Sequence, residues 1–460
     1  MISDEYLDFL ASKAPRSMPV GIEPGPMPDH LFDFAAHAVR FCLRQGRAAL
    51  FLDTGLTKTR CQLEFARQAA GASNGVALIL TPLAVARQFE GEGLALGYEC
   101  RVVRDQSGVL PGINICNYDR IELLDASAFG AVCLDESSIL KNSQGATSRN
   151  LIATFADTPF RLAATATPAP NDHVELGTHA EFLGIMSQSD MLVRWFLNDS
   201  ENTGTWRLKG HAVEAFWDWV SSWAIMASSP ADLGYDGSRF ILPPLRIHRH
   251  KTIGDVKPMD GSLFAGDVSA TNMHEVKRQT ASARAAEVAR LVNEDLAEPW
   301  MIFCDTDYEA DTLKAMIHGA VEVRGSMTPE QKEARIAAFL DRTARVMISK
   351  PRIMGSGLNL QFCARMAFVG RSFSYELWYQ AVRRCWRFGQ QRPVDVHLIV
   401  AEGEDQIGRV IDQKAEAHAE MKAAMVAASK RAAQTKSVVK VAYNPTHLGR
   451  LPEWLKQCDA

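Results

Sequence analysis

The chain has 460 residues, 47% of them hydrophobic and 23% charged, with a formal net charge of -4 and a pI near 6.3. That length suits about three domains of roughly 150 residues, with enough apolar content to bury more than one core. The balance excludes a globally basic nucleic-acid coat, and nine scattered cysteines without a CxxC pair argue against a zinc ribbon or a disulfide framework.

The N-terminus, MISDEYLDFLASKAPRS, is acidic and lacks the basic-then-apolar pattern of a signal peptide. No apolar run approaches the roughly 20 residues that cross a bilayer, so a cytoplasmic protein without membrane contact is expected. Residues 1–28 read as a turn-rich lead-in ending in GIEPGPMPDH. LFDFAAHAVRFCLRQG is helical by period and runs into the short apolar strand RAALFLD. Alternation follows: VALIL, GINICN, GAVCL and RLAAT read as strands separated by helical or polar segments, which implies a parallel sheet covered on both faces. Residues 29–183 are therefore expected to form one α/β lobe.

Residues 184–252 change character and hold five of the nine tryptophans, so a Trp-rich helical insertion is expected. Phe216, Trp219 and Trp223 recur at helical spacing, which favours core packing over base stacking. His248 and His250 form an HxH without an evident third ligand. Residues 253–276 read as a linker. From 277 to 410 the alternation resumes, with WMIFC, VEV, RVMIS, RMAFV and VDVHLIV as strands, and 411–460 read as an Ala- and Lys-rich helical tail.

The chemistry begins at FLDTGLTKTRC, Phe51 to Cys61. A strand that feeds a glycine-containing turn and then a helix aims backbone N–H groups and the positive helix end at one spot suited to phosphate. Lys58 would reach the outer phosphates and the Thr59 hydroxyl a magnesium ion. Asp135 and Glu136 follow the strand GAVCL, at the carboxyl end where open α/β sheets bind ligands. An aspartate there can hold Mg2+ through water, and its neighbour can orient the water that attacks a γ-phosphate.

Around these residues the chain resembles the Swi/Snf-like superfamily two helicases, in the form found in short phage and prophage members. LDESSILKN resembles their acid box, LILTPLAVARQF and ICNYDRI the segments that follow the phosphate loop, ATATPAPN the threonine-proline motif, SKPRIMGSGLNLQ the glycine-rich motif and QAVRRCWRFGQ the arginine-finger motif. The resemblance implies two RecA-like lobes with parallel sheets covered by helices, with ATP and Mg2+ between them and DNA, duplex and held by its backbone, as partner. It implies Glu136, Gln380, Arg384 and Arg387 as catalytic residues, and Gly55, Thr57, Lys58, Thr59, Asp135 and Gly357 around the nucleotide. Thr59 and Asp135 would hold Mg2+, and Thr81, Asn117, Thr167 and Asn359 would lie against nucleic-acid phosphates. Arginines suit a loose phosphoryl-transfer transition state because planar guanidinium groups stay charged and bond two oxygens at once. Lys350, Arg352, Arg365, Arg371, Arg383 and Arg392 add local positive charge to the second half.

Two positions depart from the pattern. Thr57 stands where the loop usually has glycine, and Ala35 stands at the position aligned with an adenine-reading glutamine. Two functions are therefore expected: an ATP-dependent helicase or translocase on DNA, or a two-lobed DNA-binding protein whose ATPase is weak or lost.

Overall fold

The structure is a computed structural model that describes residues 18–82, 85–198, 206–252, 270–354, 359–370, 374–401 and 405–434. Its first lobe is built on seven strands: β1 (Arg47–Leu52), β2 (Val76–Thr81), β3 (Cys100–Val102), β4 (Gly112–Asn117), β5 (Ala131–Asp135), β6 (Phe160–Ala164) and, after a small hairpin of β7 (Phe196–Asn198) and β8 (Trp206–Leu208), β9 (Ala224–Ala227). They run parallel in the order β3-β4-β2-β5-β6-β1-β9. Side chains alternate across β1: Ala48, Leu50 and Leu52 enter one core and Ala49 and Phe51 the other, so both faces are covered. Parallel pairing also aligns the carboxyl ends. Thr81 sits opposite Asn117 and Asp135 opposite Ala164, which gathers the polar residues after each strand along one edge.

The second lobe is a six-stranded parallel sheet of β10 (Leu245–Thr252), β11 (Trp300–Cys304), β12 (Val321–Val323), β13 (Val346–Ser349), β14 (Arg365–Val369) and β15 (Val394–Ala401), in the order β10-β15-β14-β11-β13-β12. The expected pair of parallel-sheet α/β lobes is thus observed.

The stretch 184–252 does contain the helices Gln188–Trp195 and Val213–Trp223, but it also gives a strand to each lobe. β9 extends the first sheet beside β1, and β10 pairs β15 in the second. AIMA continues the apolar pattern of the Trp helix without a breaker, so its switch to strand comes from the open edge of β1 rather than from local signal. Phe216, Trp219 and Trp223 lie in the first lobe's core at 0%, 1% and 0% exposure. Each contributes about 1.5–3 kcal/mol by burial or more.

The chain then leaves β15 for a 30-residue helix, Asp405–Gln434, that returns to the first lobe. Met421, Met425 and Ala428 are buried in the same core as the tryptophans. Arg431 pairs with Asp218 of the Trp helix at 2.6 Å. No helix among the described residues is long and apolar enough to cross a membrane.

Candidate nucleotide site between the lobes

After β1 the chain passes Asp53 and Thr54 to Gly55, at φ 93°, and then to Thr57, at φ 54° and ψ 32°, where the helix Lys58–Gly71 begins. Gly55 is required twice over. Its backbone is in a region that side chains disfavour, and a Cβ there would stand 3.0 Å from the backbone nitrogen of Phe388 in the other lobe. Lys58 Nζ donates to the Leu52 carbonyl at 2.8 Å, and burial lowers its pKa against the pull of Glu136, Asp53 and Asp135.

Asp135, at the end of β5, is held on both oxygens: Oδ1 accepts from Gln62 Nε2 at 2.8 Å and Oδ2 from the Thr81 hydroxyl at 3.1 Å. Burial, then the Glu136 charge, pushes its carboxyl up to about 6. Glu136 has φ 54°, and the Thr165 hydroxyl approaches its Oε2 at 3.4 Å. Among the described residues only Thr57, Glu136 and Arg342 are non-glycine residues with positive φ. Two of the three face this one cavity, and backbone strain of that kind collects at functional sites.

From the second lobe, the helix Tyr375–Cys385 starts at a Ser374 hydroxyl that accepts from Leu377 N–H and ends beside the cavity. Arg384 is 7% exposed; burial lowers its pKa, countered by Glu136 and Asp135. Arg387 is brought down to about 10 by burial, then by Arg384 and Arg383. The cavity, about 310 Å³, is lined by Gly55, Thr57, Lys58, Thr59, Asp135 and Glu136 from one lobe and Gln361, Arg384, Arg387 and Phe388 from the other. These residues fit a nucleoside triphosphate with magnesium. The donor set is cationic where phosphates would lie, and Arg387 Nε is buried without a protein partner. Among the described residues no cluster of three His, Cys, Asp or Glu could hold a metal ion by itself.

Other expected residues fall elsewhere. Gln380 is half-buried and does not line the cavity, and Gly357 lies outside the described residues. Gln390, which closes the arginine motif, is a turn residue: its amide donates to the Cys363 and Cys385 carbonyls, and its Oε1 accepts from Gln391 and Arg392 N–H. Ala35 is 0% exposed in the first lobe's core, and Phe32, three residues earlier, lines the cavity.

Of the nucleic-acid set, Thr81 and Thr167 are 0% exposed and Asn117 9%, whereas Asn359 is exposed. The basic set is mostly spent on internal pairs: Lys350 with Asp307, Arg365 with Asp295 and Asp395, Arg383 with Asp53, and Arg392 with Glu298. Arg352 is exposed, and Arg371 lies outside the described residues.

Several cavity residues were not legible beforehand. Phe32, Arg60, Val85, Gln88 and Glu92 form its other end, where Arg60 pairs with Glu92 at 2.8 Å and the Phe32 and Phe388 rings meet edge to face at 6.4 Å. Gln62 did carry a signal, since it stands one helical turn after Lys58 and faces the same carboxylate.

Comparison with known proteins bears on the second lobe most directly: residues 283–389 match the helicase conserved C-terminal domain family. Over 98 residues the chain is 31% identical to the TATA-binding protein-associated factor BTAF1 of Arabidopsis thaliana, which is 21% of this chain and 5% of that protein's length. Among solved structures, the Sulfolobus solfataricus SWI2/SNF2 ATPase core in complex with dsDNA is similar at TM-score 0.41 and 15% identity, covering 91% of this chain and 96% of that one. The domain match falls within the second lobe, which over residues 283–389 is similar to helicase C-terminal domains, and the chain spans only 5% of the length of the curated relative.

Proposed function

We propose that the chain hydrolyses ATP in the cleft between its lobes and couples closure of that cleft to movement along DNA. One observation carries the reading: Arg384 and Arg387 from the second lobe line the same cavity as Lys58, Thr59, Asp135 and Glu136 from the first. A site assembled from two lobes makes catalysis depend on their closure. In this reading Lys58 leaves the Leu52 carbonyl for a phosphate oxygen, and Arg384 and Arg387 spread charge over the oxygens of the transferring group. The Thr59 hydroxyl and the Asp135 carboxylate would hold Mg2+, which supplies neutralisation of phosphate charge when bound. Glu136, poised by its left-handed backbone and by Thr165, orients the attacking water.

The test is DNA-stimulated ATP turnover in the full chain. Turnover abolished by Glu136→Gln supports the motor. Equal, background-level turnover in both proteins supports a DNA-binding protein with a lost ATPase, the reading that strain at Thr57 favours. DNA affinity read across salt tests the partner: a footprint of about four phosphates weakens binding on the order of 100-fold between 50 and 200 mM salt. A flat response removes backbone-bound DNA from the proposal.

A further inference from the structure

Asp53 lies immediately after β1, at the mouth of the phosphate loop, on the side away from the cavity that holds Arg384. It is 7% exposed and is held by two other parts of the chain. Lys422, on the helix Asp405–Gln434, places Nζ 3.0 Å from Oδ2. Arg383, on the second lobe's helix, places Nη2 3.3 Å from Oδ1 and 2.7 Å from the Thr54 carbonyl. The Tyr379 hydroxyl donates to Oδ1, and Lys422 donates to that same hydroxyl at 3.2 Å.

Behind the loop these groups border a cavity of about 420 Å³ rather than a packed core. Leu56, Phe240, Trp386 and Phe388 border the same cavity, so the polar contacts at Asp53 supplement incomplete apolar packing on that side.

The helix that carries Lys422 is well placed for the task. Its buried face, with Met421, Met425 and Ala428, fastens it to the first lobe. Along a neighbouring stripe, at steps of four residues, Lys414 donates to Asn171 of the threonine-proline segment at 2.9 Å and His418 Nδ1 lies 3.4 Å from the Tyr375 hydroxyl. Lys422 completes that stripe. One helix thus touches the threonine-proline segment, the second lobe's arginine helix and the start of the phosphate loop. Arg383 and Arg384 are adjacent, so gripping Asp53 and Thr54 with the first sets where the second stands in the nucleotide cavity.

We propose that Lys422, with Tyr379 and Arg383, is a positioning clamp on Asp53 that holds the phosphate loop and the second lobe's arginines in register. This rests on the reading of the cavity as an ATPase site. None of the three clamp side chains lines that cavity, so they act through Asp53 and Thr54. A misplacement near 1 Å can lower turnover on the order of 100-fold.

The experiment compares the native full chain with Lys422→Met, Lys422→Arg and Arg383→Leu. It reads DNA-stimulated kcat and KM for ATP, and separately amide hydrogen exchange along the chain without nucleotide. Lys422→Met is expected to lower kcat by roughly 10- to 100-fold with KM changed less than about 3-fold. Exchange should rise locally at residues 53–57, Lys422→Arg should restore both readouts, and Arg383→Leu should reproduce the local rise. Native kcat with native exchange in Lys422→Met overturns the clamp. So does exchange raised uniformly across the first lobe, which marks the helix as a general stabiliser. If the native chain shows no turnover above Glu136→Gln, the ATPase reading fails, and the exchange at 53–57 alone decides: a local rise supports the clamp and its absence overturns it.

Discussion

Replacing Thr57 by glycine should improve the nucleotide site. Thr57 is the residue before Lys58, and its φ of 54° and ψ of 32° are left-handed. For an L-residue that conformation costs about 1–2 kcal/mol, and the branched Cβ of threonine places it among the poorly tolerated cases. Glycine removes the cost but loses about 0.5–1 kcal/mol through its freer unfolded chain. The net effect on stability is therefore a gain of about 0.5–1 kcal/mol, a rise in Tm of a few degrees for a lobe of this size.

The same strain divides between stability and affinity. To the extent that the empty loop relaxes out of the left-handed region, the cost moves from folding to nucleotide binding, which must restore that conformation, and glycine abolishes it. A difference of about 1–2 kcal/mol corresponds to roughly 5- to 30-fold in Kd. The assay is titration with a fluorescent ATP analogue in Mg2+, on the native chain, Thr57→Gly and Thr57→Ala. Alanine keeps a Cβ at positive φ while removing the branch and the hydroxyl, so it should recover only a small part of the gain. Equal affinity in the native chain and Thr57→Gly, or equal gains from alanine and glycine, would refute the role given to positive φ.

Three other outcomes follow from the geometry. Gly55→Ala puts a Cβ 3.0 Å from the Phe388 nitrogen at a φ of 93°, so it should push the second lobe away and remove ATP turnover while each lobe keeps its fold by circular dichroism. Ala35→Gln, which the family pattern alone would recommend, buries an amide at a 0% exposed core position and should cost about 2–5 kcal/mol, read as a lower denaturation midpoint and no gain in ATP affinity. His397, brought to about 4 by burial and by His248 and His250, faces those histidines on β10, Asp395 and Arg365 beside it, and Trp300 on β11, while Glu287 approaches His250 at 3.4 Å. Its folded pKa lies below the ordinary 6.5, so its stabilising share is present above pH 6.5 and is lost as pH falls toward 4. Tm should therefore drop between pH 7 and 5 in the native chain and drop less in His397→Asn.

The strands and the acid pair were legible because continuous apolar runs such as GAVCL end abruptly in carboxylates, and parallel sheets place such ends together. The arginine motif was legible through its resemblance to that of Swi/Snf-like helicases, and Arg384 and Arg387 do line the cavity, whereas Gln380 does not. β9 was hidden because its pairing is entirely non-local: Ala224–Ala227 become a strand only where β1 offers an open edge. Phe32 carried no signal in the sequence: it is the N-cap of the helix Asp33–Gln45 and lines the cavity, whereas Ala35 is buried in the core. The C-terminal helix was read only as an Ala- and Lys-rich tail. Met421, Met425 and Ala428, spaced four and three residues apart, mark the stripe that fastens it.

The residues assigned to a nucleic-acid track mean something different once their bonds are known. The Thr81 hydroxyl is bound to Asp135, and Thr165, whose hydroxyl accepts from Thr167 N–H at 3.1 Å, approaches Glu136. Small hydroxyl residues at those strand ends hold the acid pair in place, so their bonds tie them to the candidate nucleotide cavity. The threonine-proline segment therefore meets the site through Thr165 and the C-terminal helix through Asn171. That arrangement gives a change at Glu136 a direct route to the helix that also grips Asp53. In the proposed motor, coupling would run through the first lobe's strand ends and the returning helix, and the exposed Asn359 and Arg352 would be the residues left free for DNA.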